Sequence, residues 1–331
     1  MNILLQPHSL SLVGSMNHVI IMADNEVSFV LSDSGKNAIV KHVYAPSETG
    51  RIEVDLKNII LPLLTFKLQD VSSPYQQSGI AKSFSVTVTE TGGGETKSFS
   101  FTVIRAGVDH FDGDAESFLT QNFLTWQPNV KPVTYYTPEF LTYYAVVMAT
   151  IRCKAYFEDG TTQTIDLAQI PAGECWTVPV QYAVIAGKVG DKLPQYYEVW
   201  AENASGSRLT YIQRYVASDM RSEEEEWILF ENSLGGIDTF RAYGDSENTA
   251  KHTHNVAEIE ENFEEYRVDT TREYKKNTGY LGNRERVWLL DFFPSTGKYV
   301  YTDNFIRRIV VTESDVSYNA KKLPSDYNFT Y

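Results

Sequence analysis

Residues 83–103 carry the sequence SFSVTVTETGGGETKSFSFTV, which decides the fold class of this chain. Apolar and small polar side chains alternate on both sides of a glycine-rich centre. Successive side chains of a strand point to opposite faces, so the alternation predicts one buried face made by Phe84, Val86, Val88, Phe99, Phe101 and Val103. The stretch therefore predicts a β-hairpin that turns at residues 91–95. Its three glycines are not interpreted as a phosphate-binding loop, because no helix and no Lys-Ser/Thr pair follow them.

Shorter alternating runs surround this hairpin. Residues 27–31, 38–44 and 51–56 have the same character and are separated by turn sequences. Several short strands at this spacing are typical of two packed antiparallel sheets, so residues 1–106 are predicted to form a β-sandwich domain. Glycines and prolines interrupt residues 107–138, which predicts a linker or extended loop.

A second β unit is predicted over residues 139–220. Apolar residues occupy alternate positions from Val147 to Phe157, and Asp159-Gly160 is a strong hairpin signal before the returning run. The pattern favours another sandwich, of immunoglobulin or fibronectin-III type.

Residues 221–331 are predicted to form a mixed β domain with one short buried helix. The acidic run Glu223–Glu226 marks the boundary. The helix is predicted from Asn283 to Phe293, capped by Asn283, apolar on nearly every side and stopped by Pro294. The predicted fold class is mainly β: immunoglobulin- or fibronectin-III-like sandwiches in series with a C-terminal mixed α+β domain.

Charge and hydropathy exclude several kinds of partner. The formal net charge is −14, which argues against binding to nucleic acid phosphates. The first eight residues lack a basic residue before their apolar run, and Gln6 and Pro7 interrupt it, so no signal peptide is predicted. No apolar segment is long enough for a transmembrane helix. We therefore expect cytoplasmic synthesis and no membrane partner.

Catalytic motifs are not evident in the sequence. His-Glu-x-x-His, Gly-x-Ser-x-Gly and paired Cys-x-x-Cys spacings are lacking, so no enzymatic activity and no cofactor are predicted. A glycoside hydrolase is the third hypothesis, because its two carboxylates meet in space and not in sequence. A disulfide between Cys153 and Cys175 is conceivable, although Cys153 occupies an inward strand position that suits a free thiol.

The most prominent polar cluster is a candidate calcium site. Four carboxylates fall within eight residues around Gly113: Asp109, Asp112, Asp114 and Glu116. Oxygen ligands beside a sharp turn suit calcium, although the spacing is not that of an EF-hand. The alternative interpretation is an acidic loop between domains.

A second, weaker candidate is the pair His252 and His254. Two residues apart on a strand, they would face the same way and could join a carboxylate around a transition metal. Their polar neighbours favour an exposed loop instead.

Aromatic residues suggest a carbohydrate-binding alternative. Trp126 and the pairs Tyr135-Tyr136, Tyr143-Tyr144 and Tyr196-Tyr197 could stack on sugar rings. Adjacent residues of a strand point to opposite faces, so we expect one member of each pair in the core.

The order of motifs in the last third of the chain resembles a known group of proteins. FENSLGGIDTF at residues 230–240 is followed by NTGYL at 277–281, WLLDF at 288–292 and Tyr299-Val300-Tyr301. This order is similar to that of uncharacterised tail-associated virion structural proteins encoded by phages and prophages of gut bacteria. The likeness runs from about Trp227 onward, with a looser one in the opening β unit, and brings no catalytic residues.

The resemblance implies a structural role without catalysis. A tail or baseplate component would act through protein–protein surfaces, form homo-oligomers and be incorporated into a phage-like particle. The alternative is a cell-surface adhesion or carbohydrate-binding protein of immunoglobulin-like modules, with a glycan as its partner.

Overall fold

The computed structural model describes residues 1–69, 72–107, 114–259, 262–302, 305–316 and 325–331. Strands hold about 50% of the residues and helices about 10%, so the predicted mainly-β class is confirmed. The chain forms two compact units, residues 1–217 with 231–238 and residues 218–230 with 239–331. Among the described residues, no helix combines the length and apolar character needed to cross a membrane.

The first unit contains strands β1 to β16 and helices α1 to α3. In chain order they are β1 Asn2–Leu5, β2 Leu10–Leu12, β3 Val19–Met22, β4 Val27–Asp33, β5 Ala38–Tyr44, β6 Arg51–Val54, α1 Lys57–Ile60, β7 Tyr75–Gln76, β8 Ala81–Glu90, β9 Thr96–Ile104, α2 Ala115–Gln121, β10 Val130–Val133, β11 Phe140–Ala145, β12 Ala149–Tyr156, β13 Thr162–Ile170, β14 Glu174–Pro179, α3 Tyr182–Lys188, β15 Tyr196–Asn203 and β16 Gln213–Ala217.

The first sandwich of this unit contains the predicted hairpin. Sheet β1-β3-β6 and sheet β2-β9-β8-β4-β5 enclose one apolar core. Strands β8 and β9 pair antiparallel with Phe84 opposite Phe101, which confirms the hairpin. The predicted inward residues are buried except Phe99, which is half-buried and packs against the same core.

The second sandwich is made by sheet β10-β16-β15-β12-β13 and sheet β11-β14-β7. Alternate residues of β12, namely Ile151, Cys153 and Ala155, are completely buried, as their spacing predicts. The structure describes both cysteines, and both are buried free thiols that belong to different apolar clusters.

The stretch 107–138, predicted as a linker, contributes regular structure where it is described. It contains α2 and β10, and β10 pairs parallel with β16. Pro132 is compatible with this strand because β10 lies at the edge of its sheet. Strand β7, from the predicted first domain, pairs with β14 of the second sandwich. A strand from the predicted first domain therefore completes a sheet of the second sandwich, within one unit.

The second unit contains most of strands β17 and β18, strands β19 to β24 and helix α4. They are β17 Glu226–Glu231, β18 Ile237–Ala242, β19 Ser246–Ile259, β20 Asn262–Asn277, α4 Asn283–Leu289, β21 Lys298–Thr302, β22 Phe305–Ile309, β23 Glu313–Asp315 and β24 Asn328–Thr330.

Helix α4 lies where the sequence predicts it and ends earlier. Gly282 is its N-cap, and the Glu285 carboxylate accepts a hydrogen bond from the Gly282 N–H at 2.7 Å. Trp288, Leu289 and Phe292 are buried in the core of the unit. The predicted helix is therefore confirmed, although Asn283 is its first residue and not its cap. Only one of its faces is buried, and Val287, expected inside, is 50% exposed.

The prediction that His252 and His254 lie in an exposed loop is wrong. Both residues belong to β19, which pairs with β20 along almost its whole length. The strand lacks an apolar face, so the sequence contains no period-two signal, and main-chain hydrogen bonds to β20 define it instead.

Candidate interaction arm

The longest element of the second unit is the hairpin of β19 and β20. Strand β24 accompanies β20 only at its base, and the last main-chain bonds there join Tyr274 to Tyr331, at 2.9 and 3.0 Å. Beyond this point residues 249–259 and 262–273 pair only with each other, among the described residues. We call these residues the arm. At about 3.4 Å per residue the arm is about 37 Å long.

The arm has no core of its own. Every side chain described in it is exposed or half-buried. Its distal half nevertheless presents apolar side chains to solvent: Val256, Phe263, Tyr266 and Val268, which are 55%, 74%, 68% and 42% exposed. A two-stranded ribbon without a hydrophobic face is only marginally stable in water. Apolar groups exposed together on such a ribbon make it a candidate interaction surface.

Polar cross-strand contacts hold the register of the arm. His254 Nδ1 lies 2.6 Å from Glu265 Oε2, and Asn255 Nδ2 donates to Asp269 Oδ2 at 3.0 Å. Exposed pairs of this kind contribute at most about 1 kcal/mol each. A bulge between Asn255 and Val256 shifts the register and adds local twist just before the tip.

The tip of the arm is acidic. Glu258, Glu264 and Glu265 lie on its last residues, and the sequence adds Glu260 and Glu261 between the strands. Lys251 and Arg272 lie nearer the base, where Lys251 Nζ is 3.4 Å from Glu273. The arm thus combines an acidic end with exposed aromatic rings, a composition complementary to a basic, partly apolar surface.

The candidate calcium residues are only partly described. Asp109 and Asp112 lie outside the described residues. Asp114 caps α2: its carboxylate accepts hydrogen bonds from the hydroxyl and N–H of Ser117, at 2.9 and 3.0 Å, and from the N–H of Glu116. The Ser117 hydroxyl and N–H lower the pKa of Asp114 below its ordinary value. Glu116 lies in the first turn of α2, beside a cavity of about 380 Å³ that His8 and Asn17 also line. The calcium site stays a prediction.

Each of the two arm histidines contacts a side chain of strand β20. Their ring centroids are 6.5 Å apart. His252 Nδ1 lies 2.9 Å from Thr270 Oγ1, whereas His254 contacts Glu265. Within the described ranges, no three His, Cys, Asp or Glu side chains are grouped as metal ligands.

The aromatic pairs differ from one another. Tyr197 is buried and Tyr196 is half-buried, stacked on Tyr156 at 4.3 Å, as predicted. The expectation of one core member is wrong for Tyr143-Tyr144, which are both buried, and for Tyr135-Tyr136, which are 45% and 71% exposed.

Trp126 is half-exposed but engaged. Its indole N–H donates to Ser233 Oγ at 2.9 Å, and its ring lies 6.3 Å from that of Phe118. Trp126 is therefore less free to stack on a ligand than the Tyr135-Tyr136 pair.

Sequence reasoning also missed a buried ion pair in the first unit. Glu139 Oε1 lies 2.6 Å from Lys131 Nζ, and both side chains are almost completely buried. Burial raises the pKa of Glu139 to about 7, against the opposing effect of Lys131 and with a smaller contribution from Asp238. Lys131 also donates to Gln127 at 3.1 Å, so the pair belongs to a polar network inside the second sandwich.

Comparison with known proteins gives no family. No family model matches the chain, and no curated protein matches it. One solved structure that aligns with the chain is a tetra-tandem repeat in the extending region of a large adhesion protein. The alignment covers 80% of this chain and 66% of that protein's chain, at 8% identity and a TM-score of 0.24.

Two structures of Escherichia coli alpha-2-macroglobulin also align. The native form has a TM-score of 0.20 at 9% identity, and the trypsin-activated form 0.18 at 8%. They cover 82% and 91% of this chain, which spans only 21% and 30% of theirs. TM-scores this low assign no common fold.

Proposed function

We propose that this protein is a non-enzymatic assembly component that binds other protein subunits through the arm. The observation that carries the proposal is the exposure of Val256, Phe263 and Tyr266 on a ribbon that has no core. Burying one large apolar side chain contributes about 1.5–3 kcal/mol, so a partner that covers the tip gains a substantial binding free energy. Aromatic anchors of this kind dominate protein–protein interfaces.

The backbone of the arm supports the same function. Each arm strand has one edge whose N–H and C=O groups pair with no other strand among the described residues. An exposed strand edge can accept or supply a strand in a partner. The acidic residues at the tip limit unselective pairing, as charges do on natural edge strands.

The wider setting we propose is a tail or baseplate of a phage-like particle. The proposal rests on the order of residues 230–240, 277–281 and 288–292 described above. Components of such particles act through repeated subunit contacts, which agrees with a protruding arm and with homo-oligomers.

Site-specific photo-crosslinking tests this function. A photoreactive benzoylphenylalanine replaces Phe263 in the full chain, and it replaces Leu193, which is 62% exposed in the first unit, as the matched control. Irradiation of cells that make the protein should give a defined protein adduct at position 263 and none at position 193. Equal adduct yields at the two positions would overturn the proposal.

A glycan-binding function is the second candidate, and one observation favours it. The exposed rings of Tyr135 and Tyr136 lie 5.1 Å apart on the first unit. Aromatic faces of this kind can stack on sugars. Under this function the protein binds a defined glycan on an array, and Tyr136→Ala weakens that binding at least about tenfold. An array without signal, or equal binding by Y136A, would remove this candidate.

A further inference from the structure

Strand β22 is the edge of the sheet β18-β17-β21-β22. It pairs with β21 from Phe305 to Ile309, and its other side pairs with no strand among the described residues. The edge carries exposed apolar groups at both ends, Phe305 at 54% and Val310 at 72%. An edge that is unpaired and partly apolar is a template for strand addition.

Two exposed arginines lie between these apolar groups. Arg308 donates to the Thr296 carbonyl at 3.3 Å, and the Arg307 guanidinium lies 5.5 Å from the centre of the Tyr274 ring. No carboxylate of a described residue forms an ion pair with either arginine. In a chain with a net charge of −14, these two arginines place positive charge on both faces of the edge strand.

The arm tip and the β22 edge are therefore complementary. One has Glu258 and Glu264 beside exposed Phe263, and the other has Arg307 and Arg308 beside exposed Phe305. Both also present strand edges that pair with no strand in the described parts of the chain. Opposite charges set orientation and partner choice, while the aromatic rings contribute buried apolar area.

We propose that the arm of one copy adds its strand edge to the β22 edge of a second copy of this chain. The inference rests on the proposed function and names its partner. It specifies which surface of the chain receives the arm.

The contact must join two copies, for geometric reasons within the second unit. Arg307 lies over Tyr274, so β22 is beside the base of its own arm. The tip is about 37 Å further along a continuous ladder, beyond reach of that edge. Donor and acceptor are different surfaces, so copies join either by reciprocal exchange of arms in a two-fold dimer or head-to-tail in a ring or a filament.

Charge-swapped variants of the full chain test this contact. The arm variant carries Glu258→Arg and Glu264→Arg, and the edge variant carries Arg307→Glu and Arg308→Glu. A control variant, Glu48→Arg and Glu158→Arg, places the same charge change as the arm variant on exposed positions of the first unit. Circular dichroism and urea unfolding establish that all three are folded.

Light scattering after size exclusion then measures assembly. We expect wild type and the control to form oligomers as concentration rises. Each swapped variant alone should need about a hundredfold higher concentration or more, because like charges meet in the contact. An equimolar mixture of the two should assemble again, since each arm then meets an edge of opposite charge.

A wild type that stays monomeric at every concentration, or a mixture that assembles no better than its components, would overturn this inference. The photo-crosslink separates the two proposals. An adduct from position 263 to residues 305–310 of another copy supports both. An adduct to a different protein leaves the proposed function intact and removes the second copy as the partner.

Discussion

The chain contains two long β-hairpins that have the same antiparallel main-chain pairing but place their side chains in opposite environments. In β8–β9 alternate side chains enter the core, and Val86, Val88 and Val103 are completely buried. In β19–β20 the arm has no described side chain in a core. The first hairpin is defined by what its side chains bury, whereas the second is defined by main-chain bonds and exposed polar pairs.

The longer of the two hairpins is the one that buries fewer side chains, so strand length is not a guide to burial. Strands β19 and β20 have 14 and 16 residues, against 10 and 9 for β8 and β9. Apolar burial supplies most of the folding free energy, so we expect the shorter hairpin to be the more stable one. The longer one exposes the apolar groups that a partner would cover.

Truncating an aromatic ring in each hairpin should give the largest contrast. Phe84 is 2% exposed and Phe263 is 74% exposed. Phe84→Ala leaves a cavity and should lower the free energy of unfolding by about 3–5 kcal/mol. Phe263→Ala should change it by less than about 0.5 kcal/mol in the monomer. Urea unfolding measures both, and a large loss in F263A would show that the arm packs against its own unit.

Hydrogen exchange should give the next largest difference between the two hairpins, in the protection of their amides. Amides of β8 and β9 should exchange only with opening of their sandwich. Arm amides should exchange through local opening, with protection lower by about a hundredfold or more at dilutions where the protein is monomeric. Arm protection that rises with protein concentration would sharpen the comparison, and equal protection of both hairpins in the monomer would contradict it.

The pH dependence of stability should report the buried pair of the first unit. The pKa of Glu139 is about 7 in the folded protein and near 4.5 in the unfolded chain. Between pH 4.5 and 7 the folded state binds one proton more than the unfolded state, at Glu139. The free energy of unfolding should therefore fall as the pH rises from 4.5 to 7. The fall has an upper bound of about 3 kcal/mol.

The control for this pH dependence is Glu139→Gln, which cannot titrate. Its unfolding free energy should lack this component when measured by urea at pH 5, 6, 7 and 8. Parallel curves for wild type and E139Q would show that Lys131 keeps the carboxylate ionised throughout.

The smallest effect should come from an exposed ion pair of the arm. Lys251 Nζ lies 3.4 Å from Glu273, and both groups are substantially exposed. Glu273→Gln should change the free energy of unfolding by less than about 0.5 kcal/mol, because solvent screens the pair. A larger change, measured by urea at low and high salt, would show that the arm depends on individual charge pairs.

Most of the first unit was predictable because its signal is local. The alternation of residues 83–103 and of residues 147–157 specifies buried faces without knowledge of the partner strand. The predicted linker was harder to interpret, because the short strand β10 becomes regular only when β16 lies beside it. The arm has no alternating apolar pattern, so the sequence showed only its acidic run at residues 258–265.

The sequence by itself determined the mainly-β class, the central hairpin and the buried helix near Trp288, since these depend on periodicities within one segment. The tertiary structure alone decided that β7 pairs with β14, that Glu139 meets Lys131, and that Arg307 lies over Tyr274. Each of these joins residues distant along the chain or carries no repeating pattern. Long-range packing selects among many compatible partners, and that selection has no local signature.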